Sequence, residues 1–340
     1  MATRGRPTRV LVTGGTGFVG SHTVAELTRR GYSVRLLVRN PAKISAVPAL
    51  RGTTDLDVVV GDVTDFAAVR RALDGCTAIV HAAGRVSLAD RDANDVYATN
   101  VGGTNNVIGA AAASGIPAVY VSSVSVFATG HARVSVDTPL AFARNGYTRS
   151  KVVAEQVVRK LQASGAPIAV VYPSGVLGPD APDVSATHRG LIEWLRTPPR
   201  TTSGTSIIDV RDVAPAIVRS LDGRLPARWM LGGTFLSWSE LHATIAQVTG
   251  VHRARVPMPA AAMRLAGRVG DIVKRVVPFD YPLTYEAMVM ATSAAPYDDD
   301  TTRVALDVDW RTVESTLADS IRWLAASGHI DARLAGALAR

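Results

Sequence analysis

Residues 10–20 read VLVTGGTGFVG. The three apolar residues at the start are typical of a short buried strand, and the glycines that follow predict a tight turn and the start of a helix. Gly14 allows the turn, Gly17 lets backbone N–H groups approach a pyrophosphate, and Gly20 lets the helix pack close to the strand. The positive end of that helix would face the phosphates. The stretch therefore predicts a dinucleotide site, although a glycine turn alone also fits an ordinary tight loop.

Outward from this turn, apolar strands and helical segments alternate through the first half of the chain. The sequence predicts helices at 21–30, 66–73, 97–114 and 147–161, and further strands at 34–38, 56–60, 77–81, 116–121 and 168–171. Such alternation is typical of a parallel sheet covered by helices on both faces. The predicted fold class is α/β, a Rossmann-type doubly wound parallel sheet with a smaller, mainly helical C-terminal substrate domain.

The alternation fades after the sixth strand, and this change predicts the domain organisation. Residues 9–175 are expected to form the dinucleotide-binding domain, with residues 204–235 returning to it. Residues 176–203 and 236–328 are expected to form the substrate-binding domain. A short strand is predicted at 207–213, with Asp212 near its end.

The composition narrows the class of protein. The chain has 340 residues, of which 47% are hydrophobic, as in an ordinary globular protein, and it lacks the long apolar run that a membrane span needs. The single cysteine excludes an internal disulfide framework, and the N-terminus lacks the apolar stretch of a signal peptide, so we expect a cytoplasmic protein. The formal charge of +8 is scattered, which favours an anionic cofactor over nucleic acid. No metal site is predicted from the spacing of the seven histidines.

The second predicted strand ends in Arg39, nineteen residues after Gly20. Dinucleotide-binding folds place an acid near this position to accept from the ribose 2′-hydroxyl of NAD, or an arginine to bind the 2′-phosphate of NADP. Arginine therefore predicts a preference for NADP(H), with NAD(H) as the alternative. Lys43 is a second candidate cation, although it fits an ordinary solvated residue equally well.

A second motif opens the helix that starts near residue 147. Tyr147 and Lys151 are four residues apart, so both side chains lie on one face of the helix, where they can meet one ligand. Together with TGGTGFVG, the aspartate of GDV, HAAG, NVGGTNN, VSSVSVF and PSGVLGP, this YTRSK motif resembles the extended short-chain dehydrogenase/reductase superfamily over residues 9–328. In character the chain is most similar to dihydroflavonol reductases and 3β-hydroxysteroid dehydrogenases.

The resemblance implies a role for each matching residue. Ser123 would be the catalytic serine and Tyr147 the general acid or base, while Lys151 would hold the nicotinamide ribose and lower the pKa of Tyr147. The remaining residues would contact the dinucleotide; they are Gly14, Thr16, Gly17, Phe18, Val19, Arg39, Asp62, Val63, Ala82, Ala83, Gly84, Asn100, Pro173 and Val176. Asp62 also fits a simple helix cap.

Departures from the family pattern favour one activity over two alternatives. Phe127 stands where sugar-nucleotide members usually have tyrosine, Tyr172 where many relatives have arginine, and Thr205 near the place of the arginine that clamps a substrate diphosphate. These residues favour an NADP(H)-dependent oxidoreductase acting on a relatively apolar ketone, aldehyde or steroid-like molecule. The alternatives are a nucleotide-sugar epimerase or dehydratase, and a non-enzymatic dinucleotide sensor, which would normally have lost Ser123, Tyr147 or Lys151.

The resemblance also bears on oligomeric state. In many relatives, helices equivalent to residues 95–113 and 147–163 form a dimer interface, whereas other relatives are monomers. A homodimer through these two segments is therefore one of two expectations.

Overall fold

The computed structural model describes residues 9–86, 92–142, 146–197, 199–201, 203–223, 225–254, 256–257, 259–273 and 285–339. Its strands are, in chain order, β1 (Arg9–Thr13), β2 (Ser33–Val38), β3 (Asp57–Val60), β4 (Ala78–His81), β5 (Ala118–Val121), β6 (Ile168–Pro173), β7 (Gly175–Leu177), β8 (Pro199–Arg200), β9 (Gly204–Asp209), β10 (Ala227–Leu231), β11 (Thr234–Ser237) and β12 (Val256–Pro257).

The α-helices are α1 (Phe18–Arg29), α2 (Phe66–Leu73), α3 (Ala93–Tyr97), α4 (Gly103–Ala113), α5 (Gly146–Ala163), α6 (Ala186–Arg196), α7 (Val210–Asp222), α8 (Trp238–Thr249), α9 (Ala260–Val273), α10 (Tyr285–Ser293), α11 (Asp300–Leu306), α12 (Val313–Ala326) and α13 (Ala332–Ala335). A π-helical turn at Ala98–Gly102 joins α3 to α4. In the part of the chain that the structure describes, no helix is both long and apolar enough to cross a bilayer.

Seven strands form one parallel sheet in the order β10-β6-β5-β4-β1-β2-β3. The strand order reverses between β1 and β4, and ligands of doubly wound folds bind at the carboxyl ends of the strands at such a reversal. The predicted α/β fold class is confirmed. Strand β10 extends the edge of this sheet, while β7, β9 and β11 form a separate three-stranded sheet. The division of the chain into two domains stays a prediction.

Alternate residues of the central strands enter two different hydrophobic cores. Val10 and Val12 pack on the α1 and α7 side, with Val24 and Ile217, whereas Leu11 points to the side covered by α2, α4 and α5. A third core lies between α6, α8 and α12. Burial of both faces explains why the strands read as continuous apolar runs.

Two glycines make the turn after β1 geometrically possible. Gly14 has φ +73°, and a Cβ there would lie 2.6 Å from the backbone of Ala82. A Cβ on Gly20 would lie 2.1 Å from the carbonyl oxygen of Gly14. The first turn of α1 therefore lies so close to the loop that only glycine fits at position 20. The roles predicted for these glycines in the turn and in close helix packing match these contacts.

The strand predicted at 207–213 is wrong at its end. Strand β9 ends at Asp209, and Asp212 lies in the first turn of α7. The carboxylate of Asp209 accepts a hydrogen bond from the backbone N–H of Arg211 at 2.8 Å and so caps the helix. The apolar run thus crosses a strand-to-helix boundary that apolar periodicity alone does not mark.

Candidate active site

The glycine loop leads directly into the N-terminus of α1. Thr16 lies in the loop, Gly17 is the N-cap, and Phe18 and Val19 are the first helical residues. Gly17 is exposed and has no side chain that could cap the helix. Backbone N–H groups of the first turn lack partners within their own helix, so this end suits an anionic group. The loop therefore fits the pyrophosphate of a dinucleotide.

The segment after β4 forms the opposite side of this loop. The backbone N–H of Ala82 donates to the carbonyl of Thr13 at 3.1 Å, and the N–H of Ala83 donates to its hydroxyl at 3.4 Å. Gly84 lies against the side chain of Asn100: a Cβ on Gly84 would be 3.4 Å from the amide oxygen. These small residues leave the backbone accessible at the carboxyl end of β4, as binding of a flat ligand requires.

Asn100 is buried and holds this segment in place. Its amide oxygen accepts from the backbone N–H of Arg85 at 2.8 Å, and its amide nitrogen donates to the Arg85 carbonyl at 3.0 Å and to the Ser150 hydroxyl at 2.9 Å. The side chain thus links the π-helical turn, the loop after β4 and helix α5. In the structure Asn100 positions the backbone around the site.

Arg39 and Asp62 meet at the carboxyl ends of β2 and β3. The Arg39 Nε lies 3.8 Å from an Asp62 carboxylate oxygen, and the Arg39 side chain is 76% exposed. Asp62 accepts from the backbone N–H of Thr64, while α2 is capped by Asp65. Asp62 is therefore not the cap of that helix, which leaves its carboxylate at the edge of the loop. Val63 beside it is buried.

Ser123 and Tyr147 come together at the carboxyl end of β5. Burial raises the pKa of the partly buried Tyr147, and the nearby hydroxyls of Ser123 and Ser125 oppose part of that rise. The Ser123 hydroxyl oxygen accepts from the backbone N–H of Ser125 at 3.2 Å. This contact uses only a lone pair of the Ser123 oxygen, and the O–H of Ser123 is still available to donate.

Lys151 is anchored to strand β5, and its expected effect on the pKa of Tyr147 stays a prediction. Its ammonium donates to the carbonyl of Val121 at 3.0 Å and to the hydroxyl of Tyr120 at 3.3 Å. Burial lowers the pKa of Lys151 to about 8, and the charge of Glu155 offsets part of that effect. The ammonium is thus anchored on β5, one helical turn from Tyr147 on α5.

A chain of buried side chains connects Thr13 at the end of β1 to Tyr120, whose hydroxyl accepts a hydrogen bond from Lys151. His81 is fully buried, with Nδ1 at 2.7 Å from the Thr13 hydroxyl and Nε2 at 3.3 Å from the Thr104 hydroxyl. Burial, with a smaller contribution from the nearby Lys151, lowers the pKa of His81 to about 3, so the ring is neutral. Its ring stacks on Tyr120 at a centroid distance of 5.8 Å. This network ties the glycine loop to the residue that anchors Lys151.

Glu155 is a site residue that the sequence did not predict. Its fully buried carboxylate accepts from Ser122 at 2.8 Å, Tyr172 at 2.5 Å and Arg159 at 2.9 Å. Glu155 lies one turn after Lys151 on the same helix face, and that spacing is the signal that would have identified it. Tyr172, which departs from the family pattern, is here a hydrogen-bond donor to this carboxylate.

The last two predicted cofactor residues lie where the large and small sheets meet. Pro173 ends β6 and pairs with Leu231, while Val176 in β7 pairs with Ile208. Ser174 between them donates its backbone N–H to Leu231 and its hydroxyl to Gly232. Among the described residues, no group of three histidine, cysteine or acidic side chains could hold a metal ion.

A glycine loop at the strand reversal, with a serine, a tyrosine and a lysine beside it, defines an NAD(P)-binding oxidoreductase of the extended short-chain dehydrogenase/reductase type. The chain belongs to the NAD dependent epimerase/dehydratase family, whose model matches residues 10–225. The resemblance drawn from the motifs and the prediction of an enzyme of this class are confirmed.

Individual relatives agree with this assignment. The chain is 29% identical to a putative dihydroflavonol 4-reductase from Synechocystis, over 94% of this chain and 95% of that protein. It is 37% identical to a 3 beta-hydroxysteroid dehydrogenase/Delta 5-->4-isomerase from Mycobacterium tuberculosis, over 50% of this chain and 47% of that protein. The crystal structure of gox2253 superposes with a TM-score of 0.80 and 26% identity, over 95% of this chain and all (100%) of the other.

Proposed function

We propose that this protein is an NADP(H)-preferring oxidoreductase that interconverts a carbonyl and an alcohol on a relatively apolar small molecule. The observation that carries the proposal is the proximity of Ser123 and Tyr147 at the carboxyl end of β5, in the same parallel sheet whose β1 leads into the glycine loop. Two hydroxyl donors at one point suit a carbonyl oxygen, which has two lone pairs.

The side chains divide the chemistry between them. The nicotinamide, when bound, donates or accepts the hydride. Ser123 donates a hydrogen bond that polarises the carbonyl oxygen, and Tyr147 transfers a proton to that oxygen in reduction or removes it in oxidation. Lys151 is the residue proposed to hold the ribose, and its attachment to Val121 and Tyr120 fixes where its ammonium lies.

The dinucleotide would be held by residues at the carboxyl ends of β1, β2, β3, β4 and β6, with Asn100 from the π-helical turn and Val176 from β7. The proposed contacts are the loop residues Gly14, Thr16, Gly17, Phe18 and Val19, together with Arg39, Asp62, Val63, Ala82, Ala83, Gly84, Asn100, Pro173 and Val176. The close approach of Gly14 to Ala82 and the uncapped start of α1 support this cradle. The exposed guanidinium of Arg39 supports the preference for a 2′-phosphate.

An apolar substrate is supported by what surrounds the site. Val86 follows β4 and is 55% exposed, Phe142 precedes Tyr147 and is 87% exposed, and Tyr97 on α3, which packs against α5, is 44% exposed. A contiguous patch of exposed large apolar side chains is typical of a ligand-binding surface, and we infer that these three residues contribute to one. The place of the arginine that binds a substrate diphosphate is held by Thr205, which lies in β9 and pairs with Leu236. The next arginine along the chain, Arg211, already forms ion pairs with Asp209 and Asp319.

The direct test is activity of the purified protein with NADPH across a panel of aromatic ketones, aldehydes and steroids. Turnover of at least one class is expected, with loss of NADPH absorbance matched by alcohol formation. NADPH binding without turnover of any carbonyl or alcohol would support the dinucleotide sensor instead.

Diphosphate sugars are expected neither to bind tightly nor to turn over. A diphosphate brings two negative charges that need charge-assisted hydrogen bonds, and Thr205 supplies only a hydroxyl. Isothermal calorimetry with a uridine diphosphate sugar checks this, and the Thr205→Arg variant is the matched control that should bind more tightly. Micromolar binding to the wild type would instead favour an epimerase.

The pH dependence of the two reaction directions is expected to differ. Burial raises the pKa of Tyr147 above its usual value of about 10, so the phenol stays protonated at neutral pH. Reduction needs this acid form, whereas oxidation needs the ionised form, whose fraction increases about tenfold per pH unit below the pKa. The kcat/KM for oxidation should therefore rise from pH 7 to pH 9. A plateau beginning near pH 7 would show that the tyrosine pKa is lowered in the working enzyme.

A homodimer through residues 95–113 and 147–163 is part of the proposal. Helices α3 and α4 both pack against α5, so the two segments form one continuous surface of the chain. Sedimentation equilibrium of the purified protein distinguishes a dimer from a monomer.

A further inference from the structure

The ammonium of Lys151 has two acceptors within the protein, and one of them is a side chain. It donates to the backbone carbonyl of Val121 at 3.0 Å and to the hydroxyl of Tyr120 at 3.3 Å. Its Nζ atom also lies 4.9 Å from the centroid of the Tyr120 ring. An ammonium carries three N–H donors, so one donor is left for a bound molecule.

The Tyr120 hydroxyl has a defined position because its residue is fixed from several sides. Tyr120 lies in β5, where it pairs with His81 of β4 and with Val170 of β6. Its side chain is 1% exposed, and its ring stacks on the His81 ring with 25° between the two planes. The phenol oxygen therefore offers Lys151 a rigid acceptor in the middle of the sheet.

Packing alone does not explain a hydroxyl at this position. A phenylalanine ring would fill the same buried space, and burying a phenol is unfavourable unless its oxygen is hydrogen-bonded. Burial raises the pKa of Tyr120 above its ordinary value, so the hydroxyl stays neutral at working pH. A neutral phenol oxygen can accept from the ammonium, and this contact accounts for the tyrosine.

The titratable groups that face Lys151 come from its own helix and from two strands. Glu155, one turn later on α5, favours the ammonium through its charge, whereas burial lowers the pKa of Lys151 to about 8. His81 on β4 is neutral, because burial lowers its pKa to about 3. Tyr120 on β5 is neutral, and Tyr147, one turn earlier on α5, is protonated at neutral pH. The hydroxyl of Tyr120 thus supplements the charge of Glu155 in stabilising the ammonium.

We propose that Tyr120 is a positioning residue, whose hydroxyl holds the Lys151 ammonium on β5 so that the remaining N–H is directed to the ribose of the dinucleotide. This inference rests on the proposed function, which assigns the ribose contact to Lys151. In this role Tyr120 touches neither substrate nor cofactor and acts only through Lys151.

The test is Tyr120→Phe in the intact chain, because this change removes the hydroxyl and keeps the buried ring. The affinity for NADPH is measured by fluorescence titration between pH 7 and pH 9. Loss of the hydrogen bond should lower the affinity about three- to tenfold at pH 7. It also removes an acceptor that favours the charged amine, so the pKa of Lys151 should fall. The decline in affinity with rising pH should therefore begin about half a unit to one unit lower than in the wild type.

A double-mutant cycle with Lys151→Met separates positioning from a general structural effect. Without the ammonium, the Tyr120 hydroxyl has nothing to position, so adding Tyr120→Phe should not weaken NADPH binding further. Tyr32→Phe is the matched control: it removes another buried phenolic hydroxyl, which donates to Asp222, and it should change neither the affinity nor its pH dependence.

Two results would overturn the inference. One is an unchanged affinity and pH dependence in Tyr120→Phe, and the other is an effect of equal size in the presence and absence of Lys151. Both leave the proposed function standing, because turnover of a carbonyl with NADPH does not depend on them. If Lys151→Met itself bound NADPH as tightly as the wild type, both this inference and the ribose contact in the proposed function would be wrong.

Discussion

Replacing Tyr147 by phenylalanine is expected to lower kcat a hundredfold or more while leaving the affinity for NADPH nearly unchanged. The variant loses only the phenolic hydroxyl, and general acid catalysis contributes about a hundredfold to ten-thousandfold. The aromatic ring that lines the site stays in place. Steady-state kinetics with the best ketone of the panel measures kcat, and titration of NADPH fluorescence measures binding.

The control is Tyr32→Phe, which makes the same chemical change at a distance from the site. The Tyr32 hydroxyl donates to Asp222 at 3.0 Å, in a contact between the turn that precedes β2 and the end of α7. Turnover of this variant should stay near that of the wild type. If Tyr147→Phe also retained full turnover, the proton would have to come from another group, and Tyr147 would leave the mechanism.

Helix α5, which carries Tyr147, also carries two buried side chains of opposite charge, Lys151 and Glu155. The two are one helical turn apart; Lys151 contacts the carboxyl end of β5, and Glu155 contacts Ser122 after β5 and Tyr172 in β6. Ser122 directly precedes Ser123. Burying a charge is unfavourable unless it is paired and hydrogen-bonded, and this carboxylate satisfies both conditions. The same residues that stabilise the helix therefore fix the backbone on which the proposed catalytic serine lies.

Much of this site could be predicted because its signals are local in sequence. The tight turn at Gly14, the close packing at Gly20 and the shared helix face of Tyr147 and Lys151 depend on backbone geometry within a few residues. The helix predicted at 66–73 coincides with α2. The order of strands follows from short, right-handed crossovers between parallel strands.

The features that could not be predicted depend on contacts between distant segments. Lys151 donates to Val121 and Tyr120 because β5 packs against α5, a contact that the spacing of Tyr147 and Lys151 does not specify. The pKa of Tyr147 is raised because of burial, which a motif does not specify. The role of Glu155 likewise requires Tyr172, a residue on another strand. Spacing predicts which residues share a helix face, but not what packs against it.

Replacing Arg39 by aspartate is expected to shift cofactor preference from NADPH toward NADH. Arg39 is exposed at the end of β2, and its nearest charged partner is Asp62 at 3.8 Å, a surface pair of low strength. The guanidinium is therefore available for forked hydrogen bonds to a 2′-phosphate, whereas NAD offers only a hydroxyl there. An aspartate would repel the phosphate and accept from the ribose hydroxyls instead.

The size of this change can be bounded from a single interaction. A hydrogen bond to a charged group contributes about 1.5 to 3 kcal/mol, which corresponds to roughly tenfold to over a hundredfold in affinity. The ratio of kcat/KM for NADPH to that for NADH should fall by at least about tenfold. The fall should exceed the loss of the hydrogen bond alone, because the new aspartate, beside Asp62, also repels the 2′-phosphate. Arg333→Asp makes the same charge change at an exposed position of α13 and should leave the ratio unaltered. A wild type that already prefers NADH would remove Arg39 from cofactor selection, whatever the variant does.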